Sequence, residues 1–143
     1  MGLDLVPWWG FALLSAVFAA LTTILVKLGV EQVSSTLATA IRTVVVLVMA
    51  WLIAVGRGEL VELGRIGTRT WVVLGLSGVA TGLSWLCYFR ALQIGPTSYV
   101  AAIDKSSVIL IALLAWIILR EPTDWRGALG LGMIAAGTLV LIR

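Results

Sequence analysis

No charged residue interrupts the chain from Leu5 to Val26 or from Thr70 to Phe89. Each run matches the roughly 20 mostly apolar residues a helix needs to cross the hydrocarbon of a bilayer, so each predicts a membrane-spanning helix. Three further apolar stretches carry interruptions. Val33–Gly56 contains Arg42, Thr97–Leu119 contains Asp104 and Lys105, and Trp125–Ile142 is uncharged after Arg126. The pattern predicts five helices, over 8–28, 33–56, 70–92, 97–119 and 125–142. The expected fold is an all-α integral membrane protein with one membrane domain over residues 1–143.

The connections support this division. "GRGELVELGRIGTRT" is polar and Gly-rich, "QIGPTS" joins a helix-stopping Gly to Pro, and "REPTDW" supplies a Pro and an Asp cap. The first run is read as a retained helix rather than a signal sequence, because "MGLDLVPWW" carries an acid and no basic n-region. Composition agrees: 61% of the 143 residues are hydrophobic and 12% charged, about half the charged share of a soluble domain.

Composition also excludes several chemistries. With one cysteine, Cys87, and no histidine, neither an intrachain disulfide nor a zinc or other metal site is expected, and no cofactor is implied. No paired carboxylates, Ser/His constellation or phosphate-binding loop points to an enzyme. The net charge of +3 is distributed between spans and reports topology rather than a nucleic-acid partner.

Five spans put the N-terminus and the loops at 57–69 and 120–126 on one side, with Arg57, Arg65, Arg69, Arg120 and Arg126. Lys27, Arg90 and Arg143 fall on the other. The positive-inside rule favours a cytoplasmic N-terminus in the inner membrane, by a bias mild enough to leave dual topology open.

The same topology brings Lys27, Arg42, Arg90, Asp104 and Lys105 into one half of the bilayer. A charge near the centre of a span costs about 2.5–3.5 kcal/mol on insertion scales, so Arg42, Asp104 and Lys105 are expected to face water, each other or a ligand. Ser35, Thr39 and Arg42 share one helical face, as do Thr97, Ala101 and Asp104. Gly78, Thr81, Trp85 and Tyr88 form a third, aromatic face beside Arg90. Four bases against one acid, before Glu31 in the adjoining loop is counted, favour a solute with a negative group. The candidate substrate-binding residues are Arg42, Trp85, Tyr88, Arg90, Asp104 and Lys105. Against this stands a structural reading in which Asp104 neutralises Arg42 or Lys105, the aromatics pack, and Lys27 and Arg90 snorkel to the interface.

These residues resemble a known family. "TAIRTVVVL" with Arg42, the break "ALQIGPTS", "SAVFAALTTILVKLGV" on the first helix, and "LREP" before a Gly-rich last helix are similar to EamA domains of the drug/metabolite transporter superfamily. The resemblance implies a multi-pass carrier working by alternating access, with five-helix repeats of opposite orientation. Most members carry two repeats per chain, and this sequence shows one. It implies completion by a homodimer. Glu121 occupies the family's motif position and is assigned, with Lys27, a gating or structural role. Related small multidrug-resistance proteins rely on an acid in the first helix, and "LLSAVFAALTTILVK" has none, which argues against export of lipophilic cations.

The expected function is thus secondary transport of a small anionic or zwitterionic metabolite, with Asp104 carrying a coupling proton if the carrier is proton-driven. The alternative is a non-transporting membrane scaffold or accessory subunit whose buried charges fix helix packing. For assembly, Ala128, Gly132 and Ala136 recur every four residues and, with Gly78 and Gly82, offer small-residue surfaces for a dimer or for packing within one chain.

Overall fold

A computed structural model describes residues 7–30 and 32–142. Glu31 and Arg143 lie outside the described residues. Within them the chain forms α1 (Trp8–Gly29), α2 (Ser35–Gly56), a 3₁₀ turn (Glu59–Arg65), α3 (Thr68–Ile94), α4 (Thr97–Asp104), α5 (Ser107–Leu114), a π turn (Ala115–Leu119) and α6 (Trp125–Ile142). Five stretches are long and apolar enough to span a membrane, and no strand occurs among the described residues. The chain divides into two compact units, Ile24–Gln93 and the combination of Met1–Thr23 with Ile94–Arg143.

In the Ile24–Gln93 unit, α2 begins at Ser35 because Ser34 is extended and caps the helix, its hydroxyl accepting from the Leu37 N–H at 3.2 Å. The helix ends at Gly56, and Gly58 turns the chain with a left-handed φ of 72°, a conformation in which a side chain would be strained. The segment expected to be an irregular loop then winds into the 3₁₀ turn. Helix α3 has 27 residues, so it is about 40 Å long and extends beyond the expected 70–92 at both ends. It stops at Gly95–Pro96, where the proline ring disfavours a helical predecessor. The buried apolar side chains Val26, Val30, Phe89 and Leu92 come from the ends of α1 and α3 and the turn that follows α1. Elsewhere, side chains such as Leu25, Leu52 and Val72 are exposed, as suits surfaces that meet hydrocarbon.

In the other unit the fourth span runs over Thr97–Leu119, with its hydrogen bonding tightened at one point between α4 and α5. Lys105 and Ser106 form a tight turn between α4 and α5, with N–H groups bonding three residues back: Ser106 to the Ile103 carbonyl at 2.9 Å, Val108 to Lys105 at 3.1 Å and Ile109 to Ser106 at 3.0 Å. The sequence Asp-Lys-Ser-Ser explains this, since short polar side chains compete with the helical backbone for hydrogen bonds. The span's far end widens into the π turn and stops at Arg120, in left-handed conformation (φ 56°), before Pro122. Asp124 then caps α6, its Oδ1 accepting from the Gly127 N–H at 2.8 Å. A Cβ at Gly127 would meet Asp124 Oδ1 and Thr123 Cγ2 at 3.0 Å each, so a side chain there would have to push the cap aside by a few tenths of an ångström. Helix α6 packs on α4 and α5. Its least exposed positions are Gly127, Leu131, Ala135, Thr138 and Leu141, spaced by three and four residues.

Candidate functional site

The Ile24–Gln93 unit surrounds Arg42 with aromatic rings. Its guanidinium carbon lies 5.0 Å from the ring centroids of both Trp85 and Phe89. Those two rings, one helical turn apart on α3, stack at 6.5 Å with an interplanar angle of 14°. Tyr88 leans on Phe89 at 6.3 Å. Below Arg42 on the same face of α2, Thr39 is buried and donates its hydroxyl proton to the Ser35 carbonyl at 2.8 Å. Two cation–π contacts are worth about 1–4 kcal/mol together, comparable to the insertion penalty of one arginine, about 2.5–3.5 kcal/mol. The rings therefore make the charge tolerable without an acid, and among the described residues of this unit no carboxylate pairs with it. They leave the five N–H donors of its planar fork unfilled there, which is the geometry that receives a carboxylate or phosphate in two parallel hydrogen bonds.

A second cluster joins the end of α3 to the end of α1. Pro96 has no N–H, so the carbonyl of Leu92 loses the partner that would continue the helix; the Lys27 ammonium donates to it instead, at 2.7 Å. Gln93 donates its amide Nε2 to the carbonyls of Val30 at 3.1 Å and Val33 at 2.7 Å, and its Oε1 accepts from Arg90 Nη1 at 3.2 Å. Lys27 and Arg90 thus hold backbone and amide groups that the chain turns would leave unsatisfied. Lys27 was expected to gate or to support the structure and Arg90 to contact the solute; here Lys27 holds the Leu92 carbonyl and Arg90 the Gln93 amide oxygen.

Asp104 and Lys105 belong to the other unit, at the tight turn in the fourth span. Lys105 Nζ lies 3.8 Å from Asp104 Oδ2; the lysine side chain is exposed and the aspartate partly so. Glu121 pairs with neither Arg120 nor Arg126 among the described residues; its N–H donates to the Ala115 carbonyl at 3.3 Å, and Arg126 lies over the Trp125 ring at 5.5 Å. The hydroxyl of Thr81 donates to the Ser77 carbonyl within its own helix. Ala128, Gly132 and Ala136 are exposed, one position round the helix from the face that packs within the chain.

Phe89 and Gln93 were not singled out from sequence. Phe89 could have been, because it lies four residues after Trp85 on one helical face. Gln93, a polar residue three positions after Arg90 and directly before Gly-Pro, marks a helix end with carbonyls to satisfy.

The model of the EamA-like transporter family matches residues 6–143. The chain belongs to the EamA-like transporter family. It is also 46% identical over 134 residues, 94% of this chain and 95% of the other, to a curated protein of Sinorhizobium sp named "Uncharacterized transporter in cobO 3'region". No solved structure matches. Five apolar helices and EamA membership make this a multi-pass membrane transporter.

Proposed function

We propose that this EamA protein is a secondary carrier that moves a small anionic or zwitterionic solute by alternating access, without covalent chemistry. The observation that carries the reading is Arg42, a guanidinium within a membrane span, steadied by Trp85 and Phe89 and left without a carboxylate among the described residues of its unit. Its free donors bind the solute's negative group, with Trp85 and Tyr88 as aromatic walls and Arg90 adding positive potential. In the other unit Asp104 and Lys105 form a partly exposed pair at the tight turn between α4 and α5. There Asp104 carries the coupling proton, and the turn supplies a point where a helix can change its angle.

The working form is a homodimer of five-span repeats in the inner membrane, each with a cytoplasmic N-terminus if the pair is parallel. An antiparallel pair, which recreates opposed repeats, is favoured. Supporting the dimer is the exposed small-residue face of α6 at Ala128, Gly132 and Ala136.

A thermal-shift panel of organic acids, amino acids and quaternary ammonium ions on purified protein tests the solute class, since a ligand stabilises the state it binds. Carboxylates should raise the melting temperature of the wild type and fail to do so in Arg42→Gln. Stabilisation by cations alone would overturn the assignment and leave the scaffold reading, or export of cations, in its place.

A further inference from the structure

The 3₁₀ turn at Glu59–Arg65 repeats with period three: Glu59, Glu62 and Arg65 on one face, Leu60, Leu63 and Ile66 on the next. A 3₁₀ helix has three residues per turn and aligns such positions, so the segment is amphipathic and lies along the end of α2. Between them runs a groove of about 350 Å³, with Leu47, Ala50, Trp51 and Ala54 as its floor and Leu60, Leu63 and Ile66 as its far wall. Ala50 and Ala54, one turn apart, form a trough that larger side chains would close.

Two features define an occupant. The groove begins beside the last turn of a membrane span, which ends at Gly56, and has Trp51 in its floor, the residue type of the membrane–water interface, so it suits a ligand that reaches from hydrocarbon to headgroup level. Its polar rim is acidic: Glu59 and Glu62 both line it. Arg57 neutralises Glu59 at 2.8 Å, while Glu62 has no ion pair among the described residues of its unit. A chain with an apolar tail and an ammonium head matches both halves. Arg65, aligned with Glu62 on the 3₁₀ face, suits an adjacent phosphate.

We propose that this groove is a binding site for an aminophospholipid of the phosphatidylethanolamine class. The acyl chain lies on the Ala50–Ala54 trough, the primary ammonium donates hydrogen bonds to Glu62, and the phosphate faces Arg65. The headgroup chemistry separates this lipid from others: a choline head is cationic but has no N–H to donate, and a phosphatidylglycerol head brings only negative charge to an acidic rim.

Native mass spectrometry of the purified protein, exchanged from nanodiscs containing equal parts phosphatidylethanolamine, phosphatidylcholine and phosphatidylglycerol, tests this without any transport substrate. The wild type should retain phosphatidylethanolamine over phosphatidylglycerol by about tenfold, the factor of one charge-assisted hydrogen bond, with phosphatidylcholine between. Glu62→Gln should remove that preference, and Ala54→Leu should lower retention of all three by filling the trough. Equal retention of the three lipids by the wild type, a preference for phosphatidylglycerol, or an unchanged preference in Glu62→Gln would each overturn the proposal. The first two need no variant to fold.

Discussion

A lysine at position 42 would keep the positive charge of Arg42 and lose the planar fork that lies against Trp85 and Phe89. Arg42→Lys should therefore insert and fold while binding carboxylate ligands about tenfold more weakly, measured as the ligand concentration that half-saturates the thermal shift. Phe89→Leu tests the rings separately: losing one cation–π contact and a buried aromatic should lower stability by about 1–3 kcal/mol, read from the unfolding midpoint. Lys27→Met leaves the Leu92 carbonyl without the donor Pro96 cannot supply, and should cost about 1 kcal/mol with little change in ligand affinity, which distinguishes a structural lysine from a binding one. At this scale the sequence marked Arg42 clearly, because a charge among apolar residues needs a reason. The purpose of Lys27 was harder to see, since its partner is a carbonyl 65 positions along the chain and no local pattern encodes that distance.

At the scale of elements, the spans were visible in the apolar runs, and the caps at Ser34 and Asp124 agree with simple start signals. The tight turn at Lys105–Ser106 was not read, because a hydropathy pattern counts how much apolar surface a segment has and is silent on whether its hydrogen bonds run four residues back or three. Its signal was the run Asp-Lys-Ser-Ser, treated as charge rather than backbone chemistry. The 3₁₀ turn escaped similarly: "ELVELGRI" has a period of three, concealed inside what its glycines and charges marked as a loop. Replacing Ser106 and Ser107 with alanine, the strongest helix former, should restore i→i−4 hydrogen bonding through the fourth span and slow solute exchange without changing affinity. Asp104→Asn, beside the same turn, should alter flux strongly at unchanged expression and abolish its dependence on pH; flux by the wild type that does not vary with pH would remove the proton from the mechanism.

For the whole molecule, a five-span chain exposes most of its apolar side chains, and the residues fully buried are few. That surface suits hydrocarbon, and the proposed homodimer would cover part of it. The packing face of α6 runs through Leu131, Ala135 and Thr138, whereas a side chain built at Gly132 would meet nothing within 4 Å. Gly132→Leu should consequently leave each protomer folded but separate a dimer into monomers, seen by light scattering and cross-linking in nanodiscs, and stop transport at the same step. A fully active monomer would remove the assembly from the account. The transport assignment itself is tested most directly by uptake into proteoliposomes of whichever organic acid stabilises the purified protein best. The wild type should accumulate it. Arg42→Gln and Lys105→Gln, inserted to the same level, should each lose at least about tenfold in initial rate. Wild-type flux in both variants would contradict the proposed site.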